Sequence, residues 1–205
     1  MTSLRSQIKN LFSKQEFITV VSGLPRSGTS MMMSALQKGG MPLVVDDIRE
    51  ADANNPKGYY EFERVKKLPK GDTVWLAAAP GKAVKIISAL LEYLPKDYAY
   101  RVIFMERDLG EVMASQQRMM IRNGKDLGID DDETKIYQSY TDHLTKVNQW
   151  LREHKAIQTL HVSYNDILSD PLIQFQRVAD FLDHKVDPAA MAKVVDSELY
   201  REKSI

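Results

Sequence analysis

Short apolar runs alternate with helical stripes along the chain, and their order predicts the fold. Phe17 to Ser22 (FITVVS) is a β-branched apolar run followed by Gly23, the pattern of a buried strand. Thr29 to Lys38 reads as a helix that ends at Gly39-Gly40. Two weaker strand candidates, Thr73 to Ala78 and Lys82 to Ile87, flank Pro80-Gly81, and Ser88 to Leu94 reads as a short helix stopped by Pro95. Tyr100 to Met105 (YRVIFM) is the second clear buried strand, and a helix is expected from Leu109 to about Asn123. Ile136, Tyr140, Leu144, Val147 and Leu151 recur at three- and four-residue steps, the apolar face of a long helix. Ile157 to Val162 predicts a further strand. Asp170-Pro171 then looks like an N-cap with proline at the first helical position, and Leu172, Phe175, Val178 or Ala179, and Leu182 supply that helix's buried stripe.

Strands alternating with helices predict an α/β domain with a central, mostly parallel sheet flanked by helices on both faces. Ligands of such sheets bind beyond the carboxyl ends of the strands. The residues just after Ser22, Ile87, Met105 and Val162 are therefore the ones to inspect for chemistry. The 205 residues suit a single domain, and no repeat or Pro-, Gly- or Ser-rich linker divides them. The acidic stretch Asp130-Asp131-Asp132-Glu133 reads as a solvated loop that caps the following helix.

Charge and composition narrow the classes. Lysine plus arginine (28) equals aspartate plus glutamate (28), so the formal charge is zero. A nucleic-acid partner is not expected without a basic excess, and an anion must be held by a few placed groups. The absence of cysteine removes disulfides, thiolate metal sites and a cysteine nucleophile, and it is compatible with the cytoplasm. No apolar run approaches the roughly 20 residues of a membrane span. Met1 to Glu16 lacks the apolar centre of a secretory signal.

After the first strand comes Gly23-Leu24-Pro25-Arg26-Ser27-Gly28-Thr29-Ser30. Its glycines let backbone amides turn inward, and the following helix adds its positive N-terminal end, so a phosphate can be cradled. The spacing is that of the P-loop G-x-x-x-x-G-K-[ST], but Thr29 stands in place of the lysine. That lysine stabilises the β- and γ-phosphates in phosphoryl transfer, so ATP or GTP chemistry is disfavoured. Positive charge has moved into the loop as Arg26, which suits a donor with one 5′-phosphate bearing a transferable group.

LPRSGTS after a buried strand resembles the 5′-phosphosulfate loop of the sulfotransferase superfamily, written P-[KR]-[ST]-G-[TS]-[TS]. The resemblance implies a three-layer P-loop fold and 3′-phosphoadenosine 5′-phosphosulfate (PAPS) as donor, with 3′-phosphoadenosine 5′-phosphate (PAP) as product and no metal required. Arg26 and the amides of Ser27, Gly28, Thr29 and Ser30 would hold the 5′-phosphate and the sulfuryl group. Arg101 to Gln116 (RVIFMERDLGEVMASQ) resembles the family's 3′-phosphate motif, a strand, an arginine and a serine eight positions later, here Arg107 and Ser115. A guanidinium and a hydroxyl so placed can meet one phosphate. Alternatively, Arg107 pairs with Asp108 or Glu111, and Ser115 is a packing residue. Leu160 to Leu182 resembles the stretch L-x-x-x-Y-E-D-L…D-P…F-L, whose tyrosine lines the adenine pocket, making Tyr164 the candidate; the alternative is a packing aromatic.

Sulfuryl transfer needs a base for the acceptor and positive charge at the leaving oxygen. Arg26 is placed for the second task, and Lys85 is expected to share it. Relatives acting on phenols and steroids carry K-T-H with histidine as base, but Lys85-Ile86-Ile87 occupies that position here. The protein-tyrosine branch uses glutamate in an E-T-R-like stretch, which Asp47-Ile48-Arg49 resembles. Asp47 is the first candidate base, and Glu61, in Asn55-Pro56-Lys57-Gly58-Tyr59-Tyr60-Glu61, is the second; each has the alternative of a surface charge or helix-start residue. His143, His154, His161 and His184 have no acid–base partner in sequence, His161 reading as a core histidine, and none spaces as a metal site. Met31-Met32-Met33 and Met119-Met120 are expected to fill core gaps rather than line an acceptor pocket. Pro42 to Lys70 is expected to carry contacts to a small-molecule, carbohydrate or peptide acceptor. A nucleotide or small-molecule kinase and a non-catalytic nucleotide-binding relative are the rival readings.

Overall fold

The structure, a computed structural model, describes residues 16–46, 48, 58–122, 124, 133–154 and 156–195. Four parallel strands, β1 (Ile18–Gly23), β2 (Ala83–Lys85), β3 (Tyr100–Glu106) and β4 (Ile157–Ser163), form one sheet in the order β2-β1-β3-β4. The helices are α1 (Thr29–Lys38), α2 (Leu109–Arg122), α3 (Glu133–Glu153), α4 (Tyr164–Ser169), α5 (Pro171–Phe181) and α6 (Pro188–Ala192). The β1–β3 register, Val20 opposite Val102 and Gly23 opposite Met105, brings the loop after β1 beside the end of β3.

Alternation along the strands divides the core in two. Val21, Ile103 and Met105 face one side, packed with Met32, Met33 and Leu36 of α1 and with Phe175 and Val178 of α5. Ile18, Val20, Val102 and Phe104 face the other, against Leu76, Leu91 and the apolar stripe of α3. The central strands β1 and β3 are covered on both faces, which is why they read as continuous apolar runs. Met32 and Met33 are fully buried, so the methionine run fills the core.

Three expectations need correction. Residues 73–78 do not form a strand: Val74–Ala78 coil into a 3-10 helix closed by Leu76 N–H to Thr73 O (3.0 Å) and Ala79 N–H to Leu76 O (3.1 Å). The open edge of β2 is met instead by a parallel bridge from Leu43 to Ala83. Leu172 is 54% exposed, as the first turn of α5 projects past the core and leaves burial to Phe175, Val178, Ala179 and Leu182. His161 is not a core residue but an exposed side chain whose Nδ1 lies 2.8 Å from Glu106 Oε1. The Asp170 cap forms as the sequence predicts, accepting from Ile173 N–H at 3.2 Å with Pro171 in the first turn. The short helices α4 and α6 were not legible beforehand. Of the acidic stretch, Asp130 to Asp132 lie outside the described residues, and Glu133 begins α3.

Candidate active site

The loop between β1 and α1 is shaped by backbone conformations that few side chains tolerate. Gly23 has φ +141°, and a Cβ there would lie 2.6 Å from both the Met105 carbonyl oxygen and Ser27 Oγ. Gly28 has φ +97°, and its Cβ would lie 2.5 Å from Cδ2 of Tyr164. Arg26, between them, also takes a left-handed conformation, φ 72°. Ser27, 1% exposed, turns inward and donates its hydroxyl to the Leu24 carbonyl at 2.7 Å. Thr29 is buried at the start of α1, whose N-cap, Gly28, makes no side-chain cap bond. The first-turn amides of α1 thus lie at the carboxyl end of the sheet, where such amides favour an anion.

Groups far apart in sequence converge on this loop. Arg26 Nε donates to Ser115 Oγ at 2.9 Å, and Arg107 donates from a terminal nitrogen to the Arg26 carbonyl at 3.1 Å. The Arg107 guanidinium lies 4.5 Å from the centre of the Tyr164 ring. Its Nε donates to Glu111 Oε2 at 2.8 Å, so the anticipated Arg107–Glu111 pairing is present, and it coexists with the contact to the loop. Ser115 meets Arg26 rather than Arg107, which joins the loop after β1 to α2 side chain to side chain. Burial pushes the Tyr164 phenol up from its ordinary pKa, so the ring stays neutral.

A second cluster lies on the β2 side. Lys85, 8% exposed at the end of β2, donates to the Tyr59 carbonyl and lies 3.4 Å from Ser30 Oγ. Ser30 donates to the same carbonyl at 3.3 Å. Glu61 Oε1 is 3.7 Å from Lys85 Nζ, and its other oxygen is 3.9 Å from Lys66 Nζ. Glu61 therefore sits beside the phosphate loop, within reach of the ammonium group expected to act there. Asp47 and Arg49 lie outside the described residues, as do Asn55, Pro56 and Lys57.

Two features were missed in sequence. Glu111 and Asn165 link the arginine to the tyrosine segment, Asn165 Nδ2 donating to Glu111 Oε1 at 3.1 Å. Asn165 stands where the resembling stretch has glutamate, and its amide can donate where a carboxylate would repel Glu111. The signal was available, since Glu111 is one helical turn beyond Arg107 and Asn165 adjoins Tyr164. The other feature is His143, whose Nε2 lies 2.8 Å from Ser88 Oγ, three residues beyond Lys85. The described residues contain no cluster of three His, Cys, Asp or Glu suited to a metal, and no helix long and apolar enough to cross a membrane.

Comparison with known proteins bears on the fold and the family. No curated protein sequence matches the chain. Among solved structures, the sulfotransferase domain of the Synechococcus PCC 7002 olefin synthase matches with TM-score 0.53 at 14% identity, over 94% of this chain and 86% of that one. Sulfotransferase STF9 of Mycobacterium avium also matches with TM-score 0.53, at 13% identity over 98% of this chain and 72% of that one. These likenesses concern the fold. A family model described as "Sulfotransferase family" matches residues 53–188, which include Lys85, Arg107, Ser115 and Tyr164 but not the phosphate loop. That match spans more than half of the sequence, and the chain belongs to the sulfotransferase family.

Proposed function

We propose that this sulfotransferase takes PAPS as donor and transfers its sulfuryl group to a hydroxyl or amine acceptor. The observation that carries the reading is the convergence of Arg26, Arg107 and Ser115, which are contributed by segments after β1 and β3 and joined by hydrogen bonds of 2.9 and 3.1 Å. Arg26 and the amides of Ser27, Gly28, Thr29 and Ser30 would hold the 5′-phosphosulfate. Arg107 and Ser115 would hold the 3′-phosphate, and Tyr164 would bound the adenine. The glycine cradle supports the fit, since a Cβ at either Gly23 or Gly28 would close on its neighbours.

When bound, the donor supplies a sulfur atom that accepts the acceptor's lone pair while its S–O bond to the 5′-phosphate breaks. Lys85 and Arg26 would stabilise the negative charge gained by that leaving oxygen. Glu61 would take the acceptor's proton on a carboxylate oxygen, at a position 3.7 Å from the Lys85 ammonium. Asp47 remains the alternative base on the strength of the E-T-R resemblance. The acceptor would enter over the segment leading to Glu61, as a small molecule, a carbohydrate or a peptide.

Substitution of Arg107 by alanine tests the donor site. PAP binding should weaken by at least tenfold, the loss of a charge-assisted bond of about 1.5–3 kcal/mol. Adenosine 5′-monophosphate (AMP), which lacks the 3′-phosphate, should be nearly unaffected. Equal loss for both nucleotides contradicts the assignment.

A further inference from the structure

Among the described residues, Glu111 is the one charged residue buried as a whole, at 3% exposure. It lies in the first turn of α2, where Asp108 Oδ1 accepts its backbone N–H at 3.0 Å and fixes the turn. One carboxylate oxygen accepts from Arg107 Nε at 2.8 Å, and the other accepts from Asn165 Nδ2 at 3.1 Å. Arg107 is itself enclosed, its side chain 7% exposed between the Tyr164 ring and the Arg26 carbonyl. Glu111 therefore connects the strand–helix unit that carries Arg107 to the segment that carries Tyr164.

We propose that Glu111 is the positioning residue of the 3′-phosphate subsite: it holds the Arg107 guanidinium in its binding orientation before nucleotide arrives, and Asn165 holds Glu111. The inference rests on the donor reading above. An arginine this enclosed is strongly disfavoured without a carboxylate partner, and it gains by swinging out to water. Binding a phosphate would then require bringing it back. With Glu111 in place the guanidinium is already ordered, its Nε engaged and its plane set against Tyr164.

An opposite effect acts at the same site. A carboxylate near a phosphate repels it, and at the effective dielectric of a protein site that repulsion is appreciable. The two effects predict opposite outcomes when Glu111 loses its charge. Pure repulsion predicts tighter PAP binding, whereas positioning predicts weaker binding. Positioning should prevail because Asn165 donates to the carboxylate and offsets its charge, while an arginine that has left the site binds nothing.

The test is calorimetric binding of PAP and AMP to the full chain and to Glu111→Gln, Glu111→Asp and Asn165→Leu. The wild type should prefer PAP. Glu111→Gln should lose about tenfold of that preference, the size of a charge-assisted contact, with AMP affinity within about twofold of wild type. Glu111→Asp, which keeps the charge on a shorter stem, should recover part of it. Asn165→Leu should lose a smaller part, and it decides the question if Glu111→Gln does not fold. An unchanged or increased PAP preference in these variants overturns the proposal, as does an equal loss for both nucleotides, which would mark a structural role alone. A wild type with no PAP preference overturns the donor assignment itself and is recognisable before any variant is made.

Discussion

Replacing Gly28 with alanine probes the geometry that makes the phosphate loop. At φ +97° an L-residue is strained by about 1 kcal/mol relative to glycine. The new Cβ would also lie 2.5 Å from Tyr164 Cδ2, and such overpacking costs about 1–3 kcal/mol. The expected destabilisation is therefore about 2–4 kcal/mol, a fall in Tm of roughly 5–15 °C for a chain of this length. Thermal unfolding followed by circular dichroism reads it, and a double-mutant cycle with Tyr164→Ala assigns it. With the ring gone, the same change at Gly28 should cost only the backbone part, about 1 kcal/mol. Wild-type stability in Gly28→Ala, or equal costs in the two backgrounds, would refute the reasoning.

Two further perturbations follow from the site. Glu61→Gln should lower sulfuryl transfer by at least about 100-fold while PAP affinity stays within about twofold, in keeping with loss of a general base; unchanged turnover would return the role to Asp47. His143 is held below the ordinary histidine pKa, chiefly by burial, with Lys146 also lowering it and Glu92 opposing. A depressed folded-state pKa means that the unfolded chain takes up the proton first as pH falls below about 6.5, so stability should be lost on acidification from there and be unaffected above it. Urea midpoints between pH 7.5 and 5.5 should fall less steeply in His143→Gln, and identical slopes would remove His143 from the account.

The two central strands were legible because they are buried on both faces. FITVVS and YRVIFM cannot be mistaken for amphipathic segments, and each is followed by the loop its motif requires. Thr73 to Ala78 misled because its apolar content reflects core burial of Trp75 and Leu76, while its backbone bonds are satisfied within its own turns. The residues proposed for the donor site are named by their spacing. Their joining was not legible, because the Arg26–Ser115 bond spans 89 positions and depends on the parallel pairing of β1 with β3. Glu111 was visible only as a competitor for Arg107, since sequence distance says that the two can pair but not that a loop carbonyl shares the same guanidinium. The proximity of Glu61 to Lys85 is the least legible part, because the two meet through tertiary folding alone.

The central claim is a site built for a 3′-phosphorylated adenine nucleotide rather than for a nucleoside triphosphate. Calorimetric binding of PAP against ATP with magnesium, on the purified chain, tests it most directly. The account predicts tight PAP binding with little or no heat from ATP and magnesium, because Thr29 stands where a triphosphate site needs lysine and Arg107 and Ser115 are proposed to hold a 3′-phosphate. Tight ATP binding with no preference for PAP would contradict it.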